Sequence, residues 1–290
     1  MTQHVPVAQQ DVLANRDNRE RVKTLPLPST LTALQRYLTK TATLIGLEIR
    51  KIRHDPTDLF TRAVQPMLWL LIFGEVLARV RGITSGNTSY IDFLAPGILA
   101  QSVLFIAIFS GIAIIWERDL GIIHKFLASP TPRSALVLGK ALSAGVRGLS
   151  QAIIVYLLAL LLGVHMNWNP LALLGVLAMI LLGACTFSTF SLVIACLVKT
   201  RERFMGIGQL LTMPLFFASN AIYPLAIMPI GLRVIASVNP LSYEVNALRS
   251  LMLANGTISA PGLLLDYGVM ITVTIVLVAI GARLYPRVAQ

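Results

Sequence analysis

Six stretches of this sequence are long and apolar enough to cross a bilayer as helices: about 59–80, 93–115, 135–164, 171–198, 205–223 and 262–284. A helix needs about 20 apolar residues to span hydrocarbon, and inside hydrocarbon no backbone polar group is left without a partner. Few folds satisfy both demands. With 56% of the 290 residues hydrophobic and 13% charged, against about 25% charged in a soluble domain, the chain reads as an all-α polytopic membrane protein of six transmembrane helices. Lys140 and Arg147 fall in the first half of the third run, so a shorter span, 148–164, stays open with the guanidinium of Arg147 snorkelling inward.

Charge orients the runs. All but four of the 24 Lys and Arg residues fall on one side if the N-terminus is cytoplasmic; the exceptions are Arg79, Arg81, Arg233 and Arg249. Cytoplasmic flanks carry the Lys/Arg excess, so both termini are expected inside and the chain in the cytoplasmic (inner) membrane. The net charge of +11 then reflects topology. No compact basic module suited to a nucleic-acid groove is present, and no nucleic acid is expected as a partner. Residues 1–40 read as a polar cytoplasmic tail without the apolar core of a signal peptide, 41–58 as an amphipathic interface helix, and 59–290 as the transmembrane domain.

Three segments between the runs are unusual. Before the first span, an apolar side (Leu44, Ile45, Leu47, Ile49, Ile52) opposes Glu48, Arg50, Lys51 and Arg53. That pattern suits a helix lying in the inner interface, and equally a basic anchor to anionic lipid. Between the second and third runs, "ERDLGIIHKFLASPTPR" (117–133) is a compact amphipathic patch, either a docking element or a loop packed on itself. After the fifth run, Pro224, Pro229 and Pro240 break an apolar stretch into short helices, about 230–237 and 241–253. These are too short to span; they are expected to dip into the outer leaflet and return, with re-entrant structure over about 224–253.

The chemistry of catalysis is missing from the sequence. Gly139-Lys140 lacks the earlier glycine of a phosphate-cradling loop, and "GIGQLL" (206–211) follows no strand. His4, His54, His124 and His165 have no metal-ligand spacing. Cys185 and Cys196 sit eleven residues apart in one helical run, roughly 16 Å and too far for a disulfide. Glu75, within a turn of Arg79, is either an ion pair at the outer interface or a polar contact in a translocation path. Glu244 and Asp266 read as solvated groups at the outer surface.

Two motifs carry a family resemblance. "WERDLGIIHKFLASPTPRSALVLGK" (116–140) resembles the cytoplasmic loop of ABC-2-type permeases, through Glu117, Arg118, Gly121, Leu127, Ser129, Pro130, Pro132, Arg133, Gly139 and Lys140. "FFASNAIYPLAIMPIGLRVIASVNPLSYEVNALR" (216–249) resembles the outer signature of that family, through Tyr223, Pro224, Pro229, Asn239, Pro240, Leu241, Tyr243 and Arg249. Asn220 departs from the small residue that many members carry there. The family includes drug, lipid, Nod-factor and polysaccharide exporters.

The resemblance implies a coupling helix at about 117–129 that docks on a separate ATPase through Glu117, Arg118, Asp119, Gly121, Ile122, Lys125, Phe126 and Leu127. It also implies two permease copies, as a homodimer or a pair with a similar permease, two copies of a cytoplasmic ATPase that bind ATP and Mg, and no cofactor or catalytic residue on this chain. The path is expected at the dimer interface, lined by the first, second and fifth spans. Trp69, Phe73, Glu75, Phe105, Phe109 and Phe216 are its candidate lining, among aliphatic neighbours Leu70, Leu71, Ile72, Val103, Leu104, Leu210 and Leu211. That lining favours a hydrophobic drug or lipid as cargo over a polysaccharide or lipid-linked glycan. A proton-coupled secondary transporter would need inverted repeats and midplane carboxylates, and a membrane-embedded lipid-modifying enzyme would turn over without an ATPase.

Overall fold

The computed structural model describes residues 64–74, 76, 89–121, 133–198, 200–254, 256 and 258–285, all within the unit Thr41–Gln290. The tail 1–40, the interface helix with Glu48, Arg50, Lys51 and Arg53, Glu75, and Ile122, Lys125, Phe126 and Leu127 lie outside the described residues.

The described chain is helical. We label α1 (Val64–Phe73), α2 (Tyr90–Phe109), α3 (Ile112–Asp119), α4 (Arg133–Leu161), α5 (Pro170–Leu197), α6 (Arg201–Phe217), α7 (Ile230–Val238), α8 (Pro240–Met252) and α9 (Ala260–Leu284). Four segments are long and apolar enough to cross a membrane: Tyr90–Asp119, Leu136–Leu161, Pro170–Leu197 and Ala260–Leu284.

Local chemistry sets where these helices begin. Asn169 and Asn239 each precede a proline at the first helical position, and each side chain accepts from the amide two residues on, Leu171 and Leu241, at 3.0 Å. The asparagine satisfies an orphan donor and the proline has none to lose. Thr200 and Ser259 cap α6 and α9 by accepting from the amides three residues on, Arg203 and Gly262.

α5 is the hub, packed against α4, α9, α2 and α8. Its buried face is built of small residues, among them Gly183, Ala184, Thr186, Ser188 and Ser191. Between membrane helices there is no hydrophobic drive, so close backbone approach and hydroxyl bonds hold the packing. Thr186 meets Thr274 of α9 at 2.6 Å, Ser188 meets Ser110 at 3.0 Å, and Ser191 donates to the Ile108 carbonyl. Such bonds contribute about 0.6 kcal/mol each in membrane bundles. Outward, α4 and α9 present apolar side chains such as Leu157, Leu161, Leu264 and Ile275, the surface that lipid or another subunit covers.

Three expected boundaries move. The third run, expected over 135–164, is one continuous helix from Arg133 to Leu161. Lys140 is tolerated because Glu117 pairs with it. The fifth run, expected over 205–223, is helical from Arg201 and stops at Phe217. Pro214 cannot donate to the preceding turn, and the helix ends three residues later. Residues 117–119, expected to open a separate coupling helix, instead form the last turn of α3. Gly121 then takes a left-handed φ of +68°, a conformation that glycine adopts at low steric cost and that ends the helix.

Candidate functional site

Two clusters lie at opposite ends of the α2–α3 rod. The first gathers Glu117, Arg118, Asp119 and Lys140 of the 116–140 motif. Arg201, the first residue of α6, donates to Asp119 Oδ2 from Nη2 at 2.7 Å and from Nε at 3.1 Å. Its guanidinium also lies 3.8 Å above the Trp116 ring, and arginine on an indole face is the favoured cation–π geometry. Arg118 donates to the Val198 carbonyl at the end of α5 at 3.2 Å, and Lys140 of α4 holds Glu117. Glu117, Arg118 and Asp119 thus tie the end of α3 to α4, α5 and α6.

Sequence reasoning missed Arg201 and Trp116 as members of this cluster. Arg201 had been counted only for topology. The available signal was its place one residue after the N-cap Thr200, where the short α5–α6 loop returns to the same end as Asp119.

The second cluster organises the proline-broken segment. Residues 218–229 contain little helix, so their carbonyls need side-chain donors if they lie in hydrocarbon. Asn239 Nδ2 donates to the carbonyls of Leu215 (2.7 Å) and Ala218 (3.1 Å), closing the end of α6. Tyr223 donates to Phe217 at 2.8 Å, Tyr90 to Ile222 at 2.8 Å, and Tyr243 to Ser237 at 2.6 Å. Arg233 reaches the Leu225 and Ala226 carbonyls at 3.1 and 3.0 Å. Arg249 donates to Asn220 at 2.9 Å and stacks on Phe93 at 3.8 Å. Asn220, the departure from the family pattern, pairs with Asn246 of α8. Pro229 caps α7, where its carbonyl accepts from Arg233 N at 2.9 Å, and Pro240 opens α8. Pro224 precedes a single 3-10 turn, Leu225–Ile227.

Here two readings of the sequence are corrected. Glu244 is not a solvated surface group: it is fully buried on α8, with its carboxyl pressed against Gly183 of α5, where any side chain would overlap it. Asp266 is 6% exposed and lines, with Arg249, Asn246 and Ser250, a cavity of about 540 Å³ between α8 and α9. Both burials come from α5 and α9 closing over α8, which periodicity within α8 or α9 does not encode.

The candidate path residues separate into two groups. Trp69 stacks on Phe73 with centroids 4.4 Å apart and meets Phe216 edge-on at 5.4 Å. Phe216, like Leu70, Val103 and Leu104, is fully buried, whereas Leu71, Ile72 and Leu210 are exposed. Phe105 and Phe109 line a different cavity, of about 310 Å³, with Arg147. Arg147 therefore lies on a wall between helices. No group of three His, Cys, Asp or Glu suited to a metal occurs among the described residues, and Cys185 and Cys196 are both free.

Comparison with known proteins adds the family. The model described as ABC-2 type transporter matches residues 39–253. The chain is similar to the transport permease ycf38 of Cyanophora paradoxa, 27% identical over 203 residues, covering 69% of this chain and 70% of that protein. It is also similar to the daunorubicin resistance ABC transporter permease protein DrrB1 of Streptomyces coeruleorubidus, 24% identical over 247 residues, covering 85% and 84%. Nodulation protein J of Rhizobium leguminosarum bv. viciae is 27% identical over 190 residues, covering 65% and 72%. With more than half its length matched by that model, the chain belongs to the ABC-2 type transporter family, as a multi-pass transmembrane transport subunit that works with a cytoplasmic ABC ATPase.

Proposed function

We propose that this chain is the permease of an ATP-driven exporter, with six spans and both termini in the cytoplasm of a cell with an inner membrane. Two copies form the path and two ATPase subunits, which bind ATP and Mg, drive it. The cargo is a hydrophobic drug or a lipid-like amphiphile. The observation that supports the reading best is the cluster at the end of α3, where Glu117, Arg118 and Asp119 join α4, α5 and α6. A push on the segment after Gly121 reaches three other helices through these contacts. Nucleotide shifts the permease between two packings only if the ATPase binds one of them better, and this junction is where such a difference would be transmitted.

The test is recovery of the ATPase with the tagged permease in mild detergent, followed by reconstitution. Vanadate-sensitive movement of a lipophilic dye or fluorescent lipid is the expected result. Turnover of a lipid substrate by the isolated chain, or transport driven by a proton gradient without ATP, would overturn the reading.

A further inference from the structure

The cavity of about 540 Å³ lies between α8, the first turns of α9 and Phe93 of α2. Its volume is within the range of small-molecule sites. Its polar side chains are Asn246, Arg249 and Ser250 of α8, Ser259 at the cap of α9, and Asp266. The described lining thus holds one permanent cation, Arg249, and one carboxylate, Asp266.

Each of these two charges is held by neutral groups. Arg249 Nη2 donates to the Asn220 carbonyl at 2.9 Å and, more weakly, to that of Phe93 at 3.4 Å. The guanidinium lies 3.8 Å over the Phe93 ring, and its Nε is buried without a hydrogen-bond partner among the described residues. A guanidinium has five N–H groups on three nitrogens, so the two carbonyls engage one nitrogen of the fork. The group that reaches Asp266 is the uncharged amide of Asn246, whose oxygen accepts from Asn220. Ser250 donates to the Asn246 carbonyl at 3.0 Å, and Ser259 accepts from Gly262 N at 3.4 Å. No ion pair among the described residues joins Arg249 to Asp266.

Opposite charges that share a cavity without meeting select a ligand by charge. A singly charged ligand answers one wall and leaves the other charge without a counter-ion, whereas a molecule carrying both signs answers both. The same lining supplies apolar surface at its edge: Leu265 is exposed, and so is Leu264 next to it.

We propose that this cavity binds a zwitterionic headgroup that carries a primary ammonium and an acid, with the acid on Arg249 and the ammonium on Asp266. In the orientation given above, the first turns of α9 lie on the outer side, where the headgroup of an outer-leaflet ethanolamine phospholipid is within reach. The same chemistry belongs to free phosphoethanolamine. None of the candidate path residues lines this cavity. The site therefore goes beyond the exporter reading and stands on its own geometry.

The test uses the full chain in dodecyl maltoside, with lysophosphatidylethanolamine, lysophosphatidylglycerol and an alkylamine, matched in tail length, as probes in equilibrium binding. The zwitterion is expected to bind about tenfold or more tightly than either singly charged probe, the scale of one charge-assisted contact. The variants act crosswise. D266N abolishes the preference over lysophosphatidylglycerol and keeps the preference over the alkylamine. R249Q does the reverse. A purely structural role for either residue would not produce that crossed pattern. Thermal unfolding identifies the variants that fold, and D266N, which leaves Arg249 and its carbonyl contacts in place, keeps the test decisive if R249Q does not.

Soluble phosphoethanolamine separates the two sources of the headgroup. If it displaces the lysolipid, a free zwitterion enters the site. If it does not, and the lysolipid keeps its preference, the ligand is a lipid; both outcomes support the site. Equal binding of the three probes by the wild type, or wild-type preferences in folded D266N, overturns it. Selective binding without any ATP-driven transport would instead defeat the exporter reading and leave the site standing.

Discussion

The side chain of Asn239 closes the end of α6 by donating to the Leu215 carbonyl at 2.7 Å, 24 residues earlier in the chain. The same side chain starts α8, accepting from Leu241 N at 3.0 Å. One carboxamide therefore fixes the distance between a helix that stops at Phe217 and a helix that starts at Pro240. The carboxamide serves Leu241 N, the Leu215 carbonyl and the Ala218 carbonyl together, with one acceptor and two donors, whereas a hydroxyl has a single donor.

The first prediction follows from that double role. N239S keeps the cap and loses the reach to Leu215 and Ala218, whereas N239A loses both. Removal of a cap costs about 1 kcal/mol and leaving a buried carbonyl without a donor about 1–3 kcal/mol. Thermal unfolding in detergent should therefore order the proteins wild type, N239S, N239A. Equal stability of N239A and wild type would mean that water or lipid already serves these carbonyls.

The second prediction concerns Glu244 and Gly183. Both Glu244 oxygens are buried without a hydrogen-bond partner among the described residues, and a Cβ at Gly183 would overlap them. G183A should destabilise by about 1–3 kcal/mol through overpacking. The truncation E244A in the G183A background should recover most of that loss, and E244M alone should be neutral or stabilising, since an unpaired buried carboxyl costs more than an apolar group of its size. A double variant no better than G183A would show that the clash lies elsewhere.

How much of this was legible in the sequence differs by element. The apolar runs gave α2 with α3, α4, α5 and α9, because hydrocarbon thickness fixes a minimum length and little else competes. Pro229 and Pro240 marked the starts of the short helices α7 and α8, because the effect of proline on the backbone is local. Glu244 was misread because its burial is decided by Gly183, 61 residues away in the chain. The cavity wall at Arg147 was not legible because α1 and α2 complete it; its own run shows only a charge in an apolar stretch. The end of α6 was misplaced because hydropathy continues through Phe217 to Tyr223 while the backbone does not.

The third prediction separates coupling from stability at the end of α3. The Asp119–Arg201 pair is about a third exposed on each side, so D119A and R201A should barely move the unfolding temperature. If this pair passes motion between α3 and α6, each single variant should reduce cargo-stimulated ATPase activity in the assembled complex. The double variant should be no worse than either single one, since residues acting as a unit are non-additive. Additive losses would assign the two residues to separate tasks.

The last prediction tests the turn at Gly121, the residue that follows the end of α3 in the described chain. Gly121 has φ +68° and nothing within 4 Å of the position a Cβ would take. Space therefore does not restrict this residue; backbone conformation does. An alanine there carries the left-handed penalty of about 1–2 kcal/mol, whereas asparagine visits that region readily. G121A should weaken ATPase stimulation and slow assembly with the partner, and G121N should restore much of both, although asparagine is the larger side chain. The reverse order, with alanine tolerated and asparagine not, would show that the turn is crowded by the docked partner and that its conformation is free to change.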